Sequence, residues 1–125
     1  MGMLQITVAG EESGPVVRLS GECDLSVTGQ LSDALNAQIA GGQQHLTVDL
    51  SGLRFADSAC IRVLVKAHLA LTERGGTLEL AYPQPIVATV LRLLGVDQRL
   101  PVRMQASPRD ATDLPLWLVT GPVRQ

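Results

Sequence analysis

Residues 45–76 read HLTVDLSGLRFADSACIRVLVKAHLALTERGG, and this stretch contains a strand pattern followed directly by a helix pattern. The segment His45–Leu50 has the apolar and β-branched side chains of a buried strand. After it, mostly apolar side chains recur at helical spacing up to a glycine pair that is typical of a helix end: Ile61, Leu64, Val65, His68, Leu69, Thr72, then Gly75-Gly76. A strand that leads into an amphipathic helix is the building unit of an α/β domain.

The same alternation continues on both sides of this stretch. The other predicted strands are Leu4–Val8, Val16–Ser20, Thr77–Tyr82 and Leu100–Met104. The other predicted helices are Val27–Ile39, residues 85–94 and a short one that starts at Ser107. The order β-β-α-β-α-β-α-β-α predicts an α/β fold, in which a mixed sheet of about five strands carries its helices mostly on one face.

Composition and charge exclude several classes of protein. The 125 residues carry 10 basic and 12 acidic side chains, so bulk charge does not favour direct binding of nucleic acid or another polyphosphate. No apolar run reaches the roughly 18 residues of a membrane span, and the N-terminus lacks the pattern of an export signal. We therefore expect a cytoplasmic protein without membrane insertion, whose two cysteines, Cys23 and Cys60, are reduced.

Ser58 stands at the start of the clearest predicted helix. A helix N-terminus presents free N–H groups and a partial positive charge, so it tolerates a phosphate. The pattern alone favours a simpler role, in which Ser58 is an N-cap whose loss costs about 1 kcal/mol. The two roles are compatible.

Four segments of the chain resemble the STAS domain (sulphate transporter and anti-sigma factor antagonist). They are Gly21-Glu22-Cys23-Asp24, Asp49–Ile61, Glu73-Arg74-Gly75-Gly76 and Leu91–Val96, in the family's order and approximate spacing. The resemblance covers about residues 3–106. It implies a STAS domain over residues 1–106, and we expect residues 107–125, with Trp117, to pack on the same domain as a C-terminal extension.

The resemblance also implies a function. In family members that antagonise anti-sigma factors, a serine kinase that is itself the anti-sigma factor phosphorylates the first hydroxyl after the motif aspartate. That position is Ser58 here. The implied protein binds the kinase when Ser58 is unphosphorylated, which releases a sigma factor, and a phosphatase is a further implied partner. The expected partner-binding residues are Asp24, Asp57, Ser58, Ala59, Cys60 and Arg62. Of these, Arg62 lies one helical turn after Ser58, where it can pair with a phosphate or with a partner's acid.

Two residues depart from the family pattern. Ala59 replaces a second hydroxyl, and Cys60 replaces a glycine at a surface that the kinase would cover. Cys60 at a helix start, with Cys23 near Asp24, raises the hypothesis of a redox-sensitive pair. The favoured interpretation is that each cysteine is a small buried apolar residue.

Other functions predict other partners. Asp57-Ser58-Ala59 also fits the small STAS subunits of phospholipid-transporting ABC systems, whose partner is a transporter ATPase, and a scaffold in a larger STAS signalling assembly is a third alternative. We expect no enzyme activity, because Ser58 and His68 are separated by ten helical residues, about 15 Å, too far for a nucleophile and its base. No metal-ligand spacing or cofactor motif is present in the sequence.

Overall fold

Five strands and three helices alternate along the chain in the computed structural model, which describes residues 2–12 and 14–104. The strands are β1 Leu4–Ala9, β2 Val16–Cys23, β3 His45–Ala56, β4 Thr77–Ala81 and β5 Val102–Arg103. The helices are α1 Thr28–Ala40, α2 Ser58–Thr72 and α3 Pro85–Leu93, with short 3₁₀ turns at Leu25–Val27 and Val96–Gln98.

The strands form one mixed sheet in the order of the sequence, β1-β2-β3-β4-β5. β1 and β2 are antiparallel, with Leu4 opposite Gly21, and β2 to β5 are parallel neighbours. This confirms the predicted α/β fold with about five strands. The short helix predicted from Ser107, the C-terminal extension and Trp117 lie outside the described residues.

One face of the sheet carries the core. Val17, Val48 and Leu80 occupy paired positions on three adjacent strands, and each is 0% exposed. The three helices add apolar side chains to the same buried cluster: Leu31 and Leu35 from α1, Ile61 and Leu64 from α2, Val87 and Leu91 from α3. The sheet therefore has its helix-facing side buried, and buried positions alternate with more exposed ones along most of β3.

β3 is longer than the sequence predicts. It continues past Leu50 to Ala56, where Ala56 pairs with Cys23. The β2–β3 register shifts between Arg18 and Ser20 and again nearer the end of β2, so the two-residue alternation of a strand is interrupted there. The extra length matters because it brings the end of β3 level with the end of β2.

His68 is a buried residue of α2 with a structural role. Its imidazole Nδ1 accepts a hydrogen bond of 3.1 Å from the backbone N–H of Leu78 in β4. That bond fixes the ring in the tautomer with the proton on Nε2 and joins α2 to the sheet. Within residues 2–12 and 14–104, no helix is long and apolar enough to cross a bilayer.

The Ser58 surface as candidate functional site

Two chain turns meet where β2 and β3 end. β2 passes through Asp24 into the Leu25–Val27 turn, and β3 passes through Asp57 into α2. The backbone N–H of Asp57 donates to the carbonyl oxygen of Cys23 at 3.1 Å, which holds the two turns side by side. The topology thus brings the predicted residues of both turns to one edge of the sheet.

Asp57 is the N-cap of α2. One carboxylate oxygen accepts from the N–H of Cys60 at 3.1 Å, and the other accepts from the N–H of Leu25 at 3.1 Å. A single carboxylate therefore caps the helix and also binds the neighbouring turn. The sequence places a cap at this helix start but suggests Ser58 for it; the structure assigns the cap to Asp57.

Removal of this carboxylate is expected to loosen both turns. Asp57→Ala should lower the free energy of unfolding by about 2 kcal/mol, because it removes the cap and a second charge-assisted acceptor. Asp57→Asn keeps one oxygen and should lower it by about 1 kcal/mol. Urea denaturation followed by circular dichroism measures both. Equal stability of the alanine variant and the wild type would contradict this role.

Asp24 caps its own turn in the same way. Its carboxylate accepts from the N–H of Ser26 at 2.9 Å and from the Ser26 hydroxyl, and the hydroxyl bond is the main cause of a lowered pKa for Asp24. Asp24 is therefore a carboxylate at neutral pH. Asp57 contacts the backbone of both turns, so it holds the turn that follows Asp24 beside the start of α2.

Cys23 and Cys60 form a disulfide, so the prediction of reduced cysteines is wrong in this structure. Cys23 ends β2 and Cys60 lies in the first turn of α2, and their Cα atoms are 6.1 Å apart, within the usual range for a disulfide. Both residues are buried, at 0% and 1% exposure, as the favoured interpretation expected, but they are bonded to each other, which agrees with the alternative that the two cysteines form a pair. Cys60 is consequently turned inward and does not offer a thiol to a partner, which corrects its place among the partner-binding residues.

Ser58 is exposed and lines a shallow groove of about 200 Å³ between α2 and the Val96–Gln98 turn. The groove has an apolar floor and two arginines at its wall; its lining includes Ser58, Arg62, Val65, Leu94, Val96 and Arg99. Arg62 was predicted and Arg99 was not. Since Arg99 is 41 residues from Ser58 in the sequence, only the fold brings them together.

Exposed apolar side chains lie near this edge. Leu25, whose N–H binds Asp57, is 72% exposed, and Phe55, close to the end of β3, is 44% exposed. Exposed apolar side chains also lie elsewhere, for example Leu93 at 77% exposure, so Leu25 and Phe55 add apolar area to this surface but do not by themselves identify it. In the described part of the chain, no group of three or more His, Cys, Asp or Glu side chains is arranged to hold a metal ion.

Comparisons with known proteins agree with this architecture. A family model described as "Mlab, STAS domain" matches residues 6–105. An anti-sigma F factor antagonist of Paenibacillus polymyxa is 26% identical to this chain over 100 residues, which are 79% of this chain and 86% of the relative.

Solved structures share the fold. An anti-sigma factor antagonist from Mycobacterium paratuberculosis gives a TM-score of 0.76 at 24% identity, with 88% of this chain and 92% of that chain covered. The Bacillus cell fate determinant SpoIIAA in its phosphorylated form gives 0.64 at 21% identity, with 89% and 97% covered. Because the family model covers most of the sequence and the sheet has the fold of these structures, the chain belongs to the STAS-domain family.

Proposed function

We propose that this protein is an anti-sigma factor antagonist that works as a phosphorylation-controlled partner switch in the cytoplasm. The observation that carries the proposal is the position of Ser58, which is exposed as the first residue of α2 beside Asp57. The Paenibacillus polymyxa relative, named an anti-sigma F factor antagonist, supports the same function. The implied partners are an anti-sigma serine kinase, which would otherwise hold a sigma factor, and a phosphatase.

The surface around Ser58 suits binding that a phosphate can abolish. Leu25 and Phe55 expose apolar area that a partner can cover, and Ser58 lies at the same edge of the sheet. Phosphorylation adds about −1.5 to −2 charges and a hydrated group to this edge. Each 1.4 kcal/mol of lost interface energy lowers affinity about tenfold, and one unpaired charge at an interface exceeds that amount.

In this function, Asp57 and the disulfide support the surface, and the residues that contact the partner are Ser58, Ala59 and Arg62. The proposal assigns no catalytic reaction to the chain, no direct contact with nucleic acid and no insertion into a membrane. Turnover of a substrate that disappears in Ser58→Ala would contradict the first of these statements.

A pair of serine variants tests the switch. The protein is recovered from its native cells with its partners, and intact mass and phosphopeptides are measured. We expect phosphate on Ser58 and a co-purifying ATP-binding kinase. In a binding assay with that kinase, Ser58→Glu should raise Kd by at least about tenfold, and Ser58→Ala should bind like the unphosphorylated wild type.

Ser51→Glu is the matched control. Ser51 is exposed on β3 and is not part of the groove lining, so a carboxylate there should leave Kd unchanged. Equal losses in Ser51→Glu and Ser58→Glu would indicate a general effect of charge and would contradict a switch at Ser58.

The second candidate is a small subunit of a phospholipid-transporting ABC system. The description of the matching family model, "Mlab, STAS domain", and the sequence Asp57-Ser58-Ala59 favour it. In that case a transporter ATPase co-purifies, and Ser58 stays unmodified across growth and stress conditions. The same recovery experiment therefore separates the two functions.

A further inference from the structure

Two arginines of the Ser58 groove have no ionic partner among the described residues. Arg62 and Arg99 are exposed and line the groove together with Ser58. Within residues 2–12 and 14–104, neither guanidinium makes a hydrogen bond or ion pair. Four other arginines differ, since their guanidinium groups bind a carboxylate or a carbonyl oxygen: Arg18, Arg54, Arg74 and Arg103. Arg92 of α3 also makes no such bond among the described residues, but it lies outside the groove lining.

Both arginines line the same groove as Ser58. Arg62 follows Ser58 by four residues on α2, so the two side chains share one face with Cβ atoms about 5–6 Å apart. Helical side chains lean towards the N-terminus, so the helix directs the Arg62 side chain towards the turn that contains Ser58. Arg99 directly follows the Val96–Gln98 turn and lines the same groove, and the nearby residues Val96 and Leu100 are buried.

We propose that Arg62 and Arg99 form a clamp that binds the phosphate of phosphorylated Ser58. A phosphoserine dianion offers three acceptor oxygens, and two guanidinium groups supply charge-assisted donors of matching geometry. This inference rests on the proposed function, because it concerns the phosphorylated state of the same serine. It adds a mechanism for the switch, in which arginines of the same chain bind the phosphate.

The clamp explains how a phosphate changes the surface without a change of fold. Unphosphorylated protein presents two unpaired guanidinium groups at the groove, which suit an acidic partner. In the phosphorylated protein these groups bind the phosphate instead, and their combined charge of +2 is neutralised. The partner then loses both a complementary charge and access to the groove.

Three carboxylates also affect how tightly a phosphate on Ser58 binds its proton. Asp57 caps the same helix, Asp24 lies in the neighbouring turn, and Asp97 is on the turn that precedes Arg99. Asp57 accepts hydrogen bonds from the backbone N–H groups of Leu25 and Cys60, and Asp24 accepts one from the backbone N–H of Ser26. Without the clamp, these carboxylates would raise the proton affinity of the phosphate; with it, the two guanidinium groups dominate.

The test uses full-length protein with phosphoserine installed at position 58 by genetic encoding, so that no kinase is needed. Phosphorus NMR follows the titration of the phosphate in the wild type, in Arg62→Gln/Arg99→Gln and in the control Arg92→Gln. Arg92 is an exposed arginine of α3 outside the groove lining. We expect the phosphate of the double variant to bind its proton about tenfold more tightly than that of the wild type, and the control to match the wild type.

Identical titrations of the wild type and the double variant would overturn the clamp, provided that circular dichroism shows both to be folded. If, in addition, the unphosphorylated double variant bound the kinase more weakly, the arginines would contact an acidic group of the partner and not the phosphate. Because the phosphate is installed without a kinase, the outcome of the NMR titration is independent of whether cells phosphorylate Ser58. The NMR titration therefore tests the clamp, and the recovery experiment with phosphopeptide analysis tests the proposed function.

Discussion

Reduction of the Cys23–Cys60 disulfide is expected to lower the free energy of unfolding by about 4 kcal/mol. The bond closes a loop with a sequence separation of 37 residues, and loop-closure entropy for that length gives this magnitude at 25 °C. A domain of this size has a total stability of about 5–15 kcal/mol, so the loss is a large fraction. Urea denaturation of the wild type with and without a dithiol reductant measures it.

A cysteine-free variant separates the bond from other effects of the reductant. In Cys23→Ala/Cys60→Ala, the reductant should leave the denaturation midpoint unchanged. Both cysteines are buried, so the variant also loses packing, and only the difference between the two conditions is interpreted. A reduced wild type with the midpoint of the oxidised protein would contradict the prediction.

The disulfide acts on the same junction as Asp57. Both join the turn after β2 to the first turn of α2, the disulfide covalently and Asp57 through hydrogen bonds from Leu25 and Cys60. Losses at neighbouring groups with shared partners are not additive. Asp57→Ala should therefore destabilise the reduced protein more than the oxidised protein, because without the disulfide the two turns depend more on the Asp57 carboxylate and on the backbone hydrogen bond from Asp57 to Cys23.

The fold could be predicted from periodicity because each helix and most strands carry an uninterrupted pattern. The end of β3 could not, since two register shifts against β2 interrupt the alternation that identifies a strand. β5 shows the opposite error. The sequence predicts residues 100–104, but only Val102–Arg103 pair with β4.

The candidate site was predictable where its residues are close in sequence. Ser58, Asp57 and Arg62 belong to one strand-to-helix junction, and the motif identifies them together. Arg99 and the Cys23–Cys60 bond depend on contacts between distant segments, which no local pattern encodes. The signal for the bond was the hypothesis of a redox-sensitive pair, which Cys60 at a helix start and Cys23 near Asp24 raise.

The glycine motif that ends α2 is explained by close approach of two backbones. A Cβ atom built on Gly76 would lie 1.9 Å from the carbonyl oxygen of Gln44. That carbonyl accepts the N–H of Thr77 at 2.9 Å, at the point where β3 and β4 begin to pair. Any side chain at this position must therefore separate the starts of two neighbouring strands.

Gly76→Ala is expected to lower the free energy of unfolding by about 3 kcal/mol or more, because a backbone oxygen cannot rotate away as a side chain can. Gly29→Ala is the matched control: Gly29 lies in α1, and a Cβ there meets nothing within 4 Å. Alanine favours a helix over glycine by up to about 1 kcal/mol, so this variant should be as stable as the wild type or slightly more stable. Urea denaturation of both variants tests the difference. If Gly76→Ala unfolded at the same urea concentration as Gly29→Ala, the close approach of the β3 and β4 backbones would not be what requires glycine at the end of α2.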